Sequence, residues 1–344
     1  MTFPAGTTGH QVDWPVGRVI NYSIGVQRNV GFGTVVDASY VGTLGRHLPH
    51  ARNWNAILFG ANFARQNEDP TNPGRPLPAA FLRPYIGYND ILLYEYESNS
   101  SYHSLQVTAN RRFARGINFG ASWTWSKAMD YVDSDTTQVS ALINRRVWNY
   151  GKAGYDRTHI LKGYWLWDLP KGSRIWNNPA GRAMLDNWQL SGILTMQSGA
   201  PSGIGLGFVA STDITGSPTD GARVVVVQNP VLGRSDRTFS RYFNTNAFRP
   251  PAVGTVGNAA KDVFRGPGLN NWDISLFKNF PVFGERRKLQ FRAELYNAFN
   301  HTQYTGVDTT TRFDAQGNQV NARFGELTSA AAARRIQLAL RFSF

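Results

Sequence analysis

Nine stretches of the chain alternate apolar and polar side chains, one residue at a time. Successive side chains of a strand point to opposite faces, so each stretch predicts a strand with one apolar face. In the last of them, Ile336, Leu338, Leu340, Phe342 and Phe344 share one parity and end on the terminal aromatic residue. The nine predicted strands cover residues 18–29, 32–43, 102–113, 117–128, 157–169, 187–198, 271–281, 287–298 and 334–344.

The length of these stretches favours a membrane. A tilted strand needs about ten residues to cross the hydrocarbon layer, whereas strands of soluble domains are usually nearer five or six. A closed barrel also satisfies every backbone hydrogen bond inside lipid. The pattern therefore predicts an all-β fold, an antiparallel transmembrane β-barrel with lipid on one face and water on the other.

The connections between the predicted strands alternate between short and long. Short periplasmic turns and long outer loops are typical of outer-membrane barrels. We treat residues 1–344 as one barrel unit, about nine or ten strands long. An antiparallel barrel closes with an even number of strands, and no secretion signal is visible at the start, so we expect the C-terminal part of a longer barrel. The predicted outer loops lie near residues 44–101, 129–156, 199–270 and 299–333.

Composition excludes several classes of protein. The longest purely aliphatic run, Val224–Val227, is far too short for a transmembrane helix. Cysteine is absent, so disulfides and thiolate metal sites are impossible. No nucleophile–base pair, cofactor motif or metal-ligand cluster survives inspection, and we expect no enzyme, no cofactor and no metal site.

A calcium site at Asp130, Asp133 and Asp135 is less favoured than a solvated loop, because the glycine and distal glutamate of an EF-hand are missing.

The net charge of +13 raises the question of nucleic acid. The basic residues form no helical or patch motif, so we expect no nucleic-acid partner. They gather instead beside the short turns, where they either contact anionic headgroups of the inner leaflet or are simply solvated; the sequence favours neither. These positions are Arg28, Arg111, Arg112, Arg115, Lys171, Arg174, Arg286, Arg287 and Lys288.

Four tryptophans lie on the apolar parity near strand ends: Trp123, Trp125, Trp165 and Trp167. Indole rings concentrate at the boundary between hydrocarbon and headgroups, so these residues are interpreted as interfacial aromatic anchors. A platform on which a sugar stacks is the less favoured alternative.

Residues 102–113 read Tyr-His-Ser-Leu-Gln-Val-Thr-Ala-Asn-Arg-Arg-Phe. This segment and several later ones, in order along residues 100–344, resemble the barrel of Oar-like TonB-dependent receptors. Each motif alone is modest, but the ordered set is specific. The others are Ala121–Lys127, Asp156–His159 with Asp168–Pro170, Asn187–Pro201, Phe264–Gly268 with Asn271–Lys278, and Glu294–His301.

The resemblance implies a 22-stranded outer-membrane barrel filled by an N-terminal plug and driven through the TonB complex. Plug and TonB box are absent from this sequence, so the TonB complex would act only through that missing region. The last strand, with Ile336, Leu338, Leu340, Phe342 and Phe344, resembles the signal that the barrel-assembly machinery recognises. The implied partners are outer-membrane lipids, that machinery and an unknown ligand, which could be a small molecule, an oligosaccharide or a peptide.

Two other classes of protein remain open from the residues alone. A non-gated porin or structural barrel would show the same strands, and a plug domain upstream would exclude it. A soluble, extracellular β-rich binding protein would bury its apolar faces between stacked sheets and would stay in solution without detergent.

If the basic residues beside the short turns contact anionic headgroups, then reversing Arg286 and Arg287 to Glu weakens binding to anionic vesicles. Each basic residue near such a surface contributes about 1 kcal/mol. Vesicle co-sedimentation of the refolded protein measures the effect, and unchanged binding and assembly would leave these residues as solvated turn positions.

Overall fold

The computed structural model describes residues 4–282 and 287–344. Nine long strands form one antiparallel sheet in which each strand pairs with the next along the chain. All nine stretches predicted from alternation coincide with these strands. Their bounds are β1 Arg18–Gly31, β2 Thr34–Asn53, β3 Tyr88–Ala114, β4 Ile117–Asp130, β5 His159–Asp168, β6 Trp188–Gln197, β7 Leu269–Pro281, β8 Lys288–Tyr296 and β9 Arg335–Ser343.

The remaining elements are short and lie in the connections. Helices are α1 Ala79–Leu82, α2 Arg145–Trp148 and α3 Pro179–Leu185, and no helix in the described ranges is long and apolar enough to cross a bilayer. The minor strands are Ala5–His10, Gly151–Lys152, Pro201–Ser202 with Phe264–Arg265, Val225–Val226 with Phe248–Arg249, and Tyr304–Val307 with Leu327–Ala330.

The cross-strand register collects the apolar side chains on one face of the sheet. One row of directly opposed residues crosses five strands as Ala38, Val107, Trp123, Leu161 and Met196. The next row belongs to the other face and runs Asp37, Thr108, Ser122, Lys162 and Thr195. Because alternation keeps these rows on opposite faces, one surface is mainly apolar and suits lipid, and the other is mainly polar and suits water.

The apolar face is exposed rather than packed against a second sheet. Ile24 in β1 is 73% exposed and Leu340 in β9 is 68% exposed. These values contradict the soluble alternative, in which such side chains would be buried between stacked sheets. The sheet is also open, since β1 and β9 each pair along one edge only in the part of the chain that the structure describes.

Two-residue turns connect β1 to β2 and β3 to β4. Phe32 and Gly33 have φ angles of 52° and 69°, and Arg115 and Gly116 have φ angles of 52° and 79°. Two successive positive φ values match the twist of a hairpin and favour glycine at the second position. The turn between β7 and β8 falls largely on residues 283–286, so Arg286 lies outside the described residues.

The predicted loop bounds need correction where β2 and β3 meet. A loop was predicted at 44–101, but the ladder continues from Leu44, opposite Ser101, to Asn53, opposite Leu92. The connection itself is only 54–87. Alternation fails in this extension because both faces contact loops, so adjacent His50 and Ala51 are both buried.

Three glycines of the wall are covered by an aromatic ring on the opposite residue of the next strand. The pairs are Tyr22 with Gly42, Tyr164 with Gly120, and Trp165 with Gly192. A Cβ atom at any of these glycines would lie 2.2–2.4 Å from that ring. The missing side chain therefore lets the ring lie flat on the backbone, an arrangement known to stabilise glycine in strands.

Gly192→Ala should displace Trp165 and destabilise the wall by about 1–3 kcal/mol, as overpacking does in well-packed sites. The added methyl group would also lie 2.9 Å from the carbonyl oxygen of Asp273. Gly163→Ala is the matched control, because the nearest atom to a Cβ there is 3.6 Å away. Urea unfolding in lipid vesicles measures both, and equal effects would show that ring coverage does not matter.

Candidate functional site

The four long connections fold together into what we call the loop cap, residues 54–87, 131–158, 198–268 and 297–334. Its centre is Phe243, which is 1% exposed and contacts the rings of Phe248, Phe264 and Phe324 at centroid distances of 5.8, 4.6 and 5.1 Å. The buried cluster comprises Ile204, Val224, Tyr242, Phe243, Ala247, Phe248, Ala259, Phe264, Phe313, Phe324 and Leu327.

This core shows that the segments predicted as loops at 199–270 and 299–333 are structured. The aromatic core was not predicted because its residues follow neither the strand period nor the helix period. The signal that was available is the repeated occurrence of phenylalanine and tyrosine within segments otherwise rich in glycine and proline. Burial of rings of this size makes the cap a folded unit, because each contributes 150–250 Å² of buried surface on the general scale.

Hydrogen bonds tie the cap segments to one another. Ile57 donates its backbone N–H to Thr219 Oγ1 at 2.8 Å, joining the first loop to the third. Asp220 Oδ2 accepts from Ser140 Oγ at 2.6 Å and from the N–H groups of Ala141 and Leu142 at 2.9 and 3.2 Å, joining the third loop to the second. Asp220 thereby fixes the start of the 140–146 segment.

Three ion pairs attach the third loop to the end of β4 and the following loop, and we call them the charge clasp. Lys261 Nζ lies 2.7 Å from Asp130 Oδ1. Lys152 Nζ lies 2.6 Å from Asp262 Oδ2, and Arg265 Nη2 lies 2.5 Å from Asp156 Oδ2. The clasp pairs are Lys261–Asp130, Asp262–Lys152 and Arg265–Asp156.

Asp156 is the most buried member of the clasp. Its side chain is fully buried, and its other oxygen accepts a hydrogen bond of 2.6 Å from the N–H of Ala128. A buried carboxylate is tolerated only when its oxygens are paired in this way. The clasp corrects the prediction of a solvated aspartate loop for Asp130, which is buried. Asp133 and Asp135 are exposed as predicted, although Asp133 lies 3.5 Å from Lys261.

A second charged cluster lies at the base of the cap. It belongs to the loop-side extension of β2 and β3, outside the segment that spans the membrane. Glu95 Oε1 accepts from Arg52 Nε at 3.0 Å and from Trp54 Nε1 at 2.9 Å, and Glu95 Oε2 lies 3.3 Å from His50 Nε2. Burial raises the pKa of Glu95, but the contacts with His50, Arg52 and Trp54 outweigh it and lower that pKa to about 2. Glu95 is therefore an anion that holds Arg52 in place.

Arg52 forms one wall of a cleft of about 420 Å³ beside the 140–146 segment. An adjoining hollow of about 240 Å³ shares Arg52 and is lined further by Trp54, Leu58 and Pro84. Arg145 pairs with Glu97, while the exposed Arg146 has no acidic partner among the described residues. Guanidinium groups next to an indole ring suit a ligand that carries an anionic group and an apolar part.

The four predicted anchors all lie on the apolar face. Trp125 is 53% exposed at the loop end of β4, and Trp167 is 39% exposed near the turn end of β5. Trp123 stacks on His159 at 5.9 Å, and the Trp165 ring meets Trp272 edge-on at 5.9 Å. Their anchoring role stays a prediction, as does the less favoured sugar platform.

The predicted assembly residues also share that face. Ile336, Leu338, Leu340 and Phe342 pair with Leu295, Ala293, Phe291 and Leu289 of β8. Phe344 is 95% exposed beyond the last pair. Recognition of this strand by the assembly machinery stays a prediction.

A family model described as "Outer membrane beta barrel domain" matches residues 1–337. The chain belongs to this family. It is accordingly a protein of the outer membrane, and the predicted location is confirmed. In barrels of this kind the long loops face the outside of the cell.

No curated protein matches this outer-membrane barrel. Among solved structures, it is similar to the outer membrane transporter YddB from Escherichia coli, with 10% sequence identity and a TM-score of 0.49. The similarity covers 97% of this chain and 33% of that transporter. The chain thus spans about a third of the length of that structure.

Asp156→Ala should loosen the attachment of the cap, because it leaves Arg265 and the N–H of Ala128 without a partner. We expect a loss of about 2–3 kcal/mol. Hydrogen exchange over residues 199–268 measures the opening. Glu326→Gln is the control: it breaks the pair with Arg323, which is 60% exposed, and should change stability by less than about 0.5 kcal/mol. Equal protection in the Asp156 variant and the parent would contradict a clamping role.

Proposed function

We propose that this chain is part of the barrel of a TonB-dependent receptor of the Oar-like type, which takes up a ligand across the outer membrane. The family places the chain in the outer membrane, and the ordered motifs between residues 100 and 344 support the subclass. The proposal assigns the chain to transport and gives it no chemical reaction.

The open sheet supports a larger barrel. Within residues 4–282 and 287–344, the outer edges of β1 and β9 carry unpaired backbone groups beside exposed apolar side chains, and such edges are not tolerated in lipid. We propose that further strands complete a 22-stranded wall, and that a plug encoded elsewhere in the same protein fills it. Contact with the TonB complex would then be made through that plug region.

We propose that the cleft beside the 140–146 segment is the ligand-binding site. It lies among outward-facing loops, and its wall is fixed by the Glu95 anion and by Asp220. Arg146 supplies a guanidinium that has no acidic partner in the part of the chain that the structure describes. A pre-organised pocket of this size suits a small ligand or the end of a larger one. We propose that the ligand carries an anionic group that Arg146 meets first.

The alternative is a non-gated porin, and one comparison separates the two. The complete protein, purified from outer membranes, is placed in a planar lipid bilayer. A plugged receptor shows no steady conductance until denaturant unfolds the plug, whereas a porin conducts at once.

The reading frame upstream gives a second, independent check. A plug domain preceded by a TonB box is the expected result. An upstream frame that encodes only more strands, together with immediate conductance, would exclude the receptor and support the porin.

A further inference from the structure

A groove of about 530 Å³ lies on the part of the wall formed by β2, β3 and β4. Tyr40, Leu105 and Trp125 are directly opposed residues on the apolar face of these strands and form its floor. His103 and Lys127 oppose each other in the next row of that same face. The groove is therefore on the lipid side of the wall and is separate from the cleft in the loop cap.

The groove lies where the apolar band ends. Along the outward face of β3 the residues run Ala109, Val107, Leu105, then His103 and Ser101. The first three are apolar and the last two are polar. A band of this kind is about 25 Å tall in outer-membrane barrels, and its edge coincides with the headgroup region.

The opposite edge of the apolar band, at the turn side, is also marked by a basic residue. Arg111 shares the outward parity at the turn end of β3. The eight residue steps from Arg111 to His103 cover about 26 Å along the strand at roughly 3.3 Å per residue, or about 20 Å across a bilayer after tilting. The row of His103 and Lys127 therefore lies at the outer leaflet boundary.

Among the lining residues that the structure describes, one lysine is left without an acidic partner. Lys152 and Arg265 also line it, but both are paired in the charge clasp. Lys127 is exposed and has no carboxylate within salt-bridge distance among the described residues. His103 Nδ1 is engaged with the hydroxyl group of Tyr40 at 2.8 Å.

We propose that this groove binds an anionic lipid of the outer leaflet, with its phosphate on Lys127 and an acyl chain along Tyr40, Leu105 and Trp125. A lipid phosphate lies at the boundary of the hydrocarbon, and the ammonium group of Lys127 lies at the same level. The apolar floor continues into the wall, so the occupant is an amphiphile rather than free phosphate. The ammonium–phosphate contact supplies charge-assisted hydrogen bonds in a partly desolvated site.

The test uses the complete protein extracted from outer membranes in mild detergent and measures lipid retention by native mass spectrometry. The probes are dioleoylphosphatidylglycerol, dioleoylphosphatidylcholine with the same chains, and glycerol 3-phosphate without chains. Lys127→Gln removes the proposed contact. Lys162→Gln is the matched control, because Lys162 is an exposed lysine on the opposite face of the neighbouring strand.

We expect the parent to retain phosphatidylglycerol over phosphatidylcholine, and Lys127→Gln to weaken that retention about tenfold, as loss of one hydrogen bond to a charged group would. Lys162→Gln and Lys127→Arg should retain the lipid like the parent. Heat-modifiable migration on gels confirms that each variant is assembled.

Three results would overturn the proposal. Lys127→Gln could bind phosphatidylglycerol as tightly as Lys162→Gln does. Phosphatidylcholine could be retained equally well, which would make the groove a site for chains alone. Glycerol 3-phosphate could displace the lipid, which would make it a site for free phosphate. None of these results depends on a plug or on the proposed uptake function.

Discussion

Backbone hydrogen bonding in hydrocarbon is the constraint on which the rest of the wall depends. A strand in lipid has no water to satisfy its N–H and C=O groups, so its neighbours must do so along its whole length. The seven inner strands meet this requirement by pairing on both sides in chain order, and the two-residue turns after β1 and β3 leave little room for register to slip. Register in turn decides which side chains meet lipid, because a shift of one residue would exchange the two faces.

The wall could be predicted from the sequence because its environment has a period of two. Lipid on one face and water on the other impose alternation, and stretches such as 117–128 show it plainly. The prediction failed where the environment stops alternating. In the extensions of β2 and β3 beyond the bilayer, His50, Ala51 and Asn53 are all buried by loops, so no parity distinguishes them from irregular chain.

The loop cap and its cleft were beyond sequence reasoning for a different reason. Their contacts join residues far apart in the chain: Asp130 meets Lys261, and Ser140 meets Asp220. No local spacing encodes such pairs, and the aromatic core around Phe243 likewise draws on separate loops. The residues of the cleft were missed entirely, whereas the tryptophans were placed on the correct face because they belong to the alternating wall.

The short strand Ala5–His10 has a consequence for how the molecule behaves among its neighbours. It pairs in parallel with β3 from Tyr88 to Tyr94, and the ring of His10 stacks on that of Tyr94 at 5.1 Å. The β2–β3 ribbon that rises above the bilayer would otherwise present a bare row of amide groups to the medium. Such a row can template the addition of strands from other chains and so begin aggregation. With Ala5–His10 in place, that edge is paired from within the same molecule, and the margin that remains is a strand of only six residues, which offers little length for a neighbouring chain to add to.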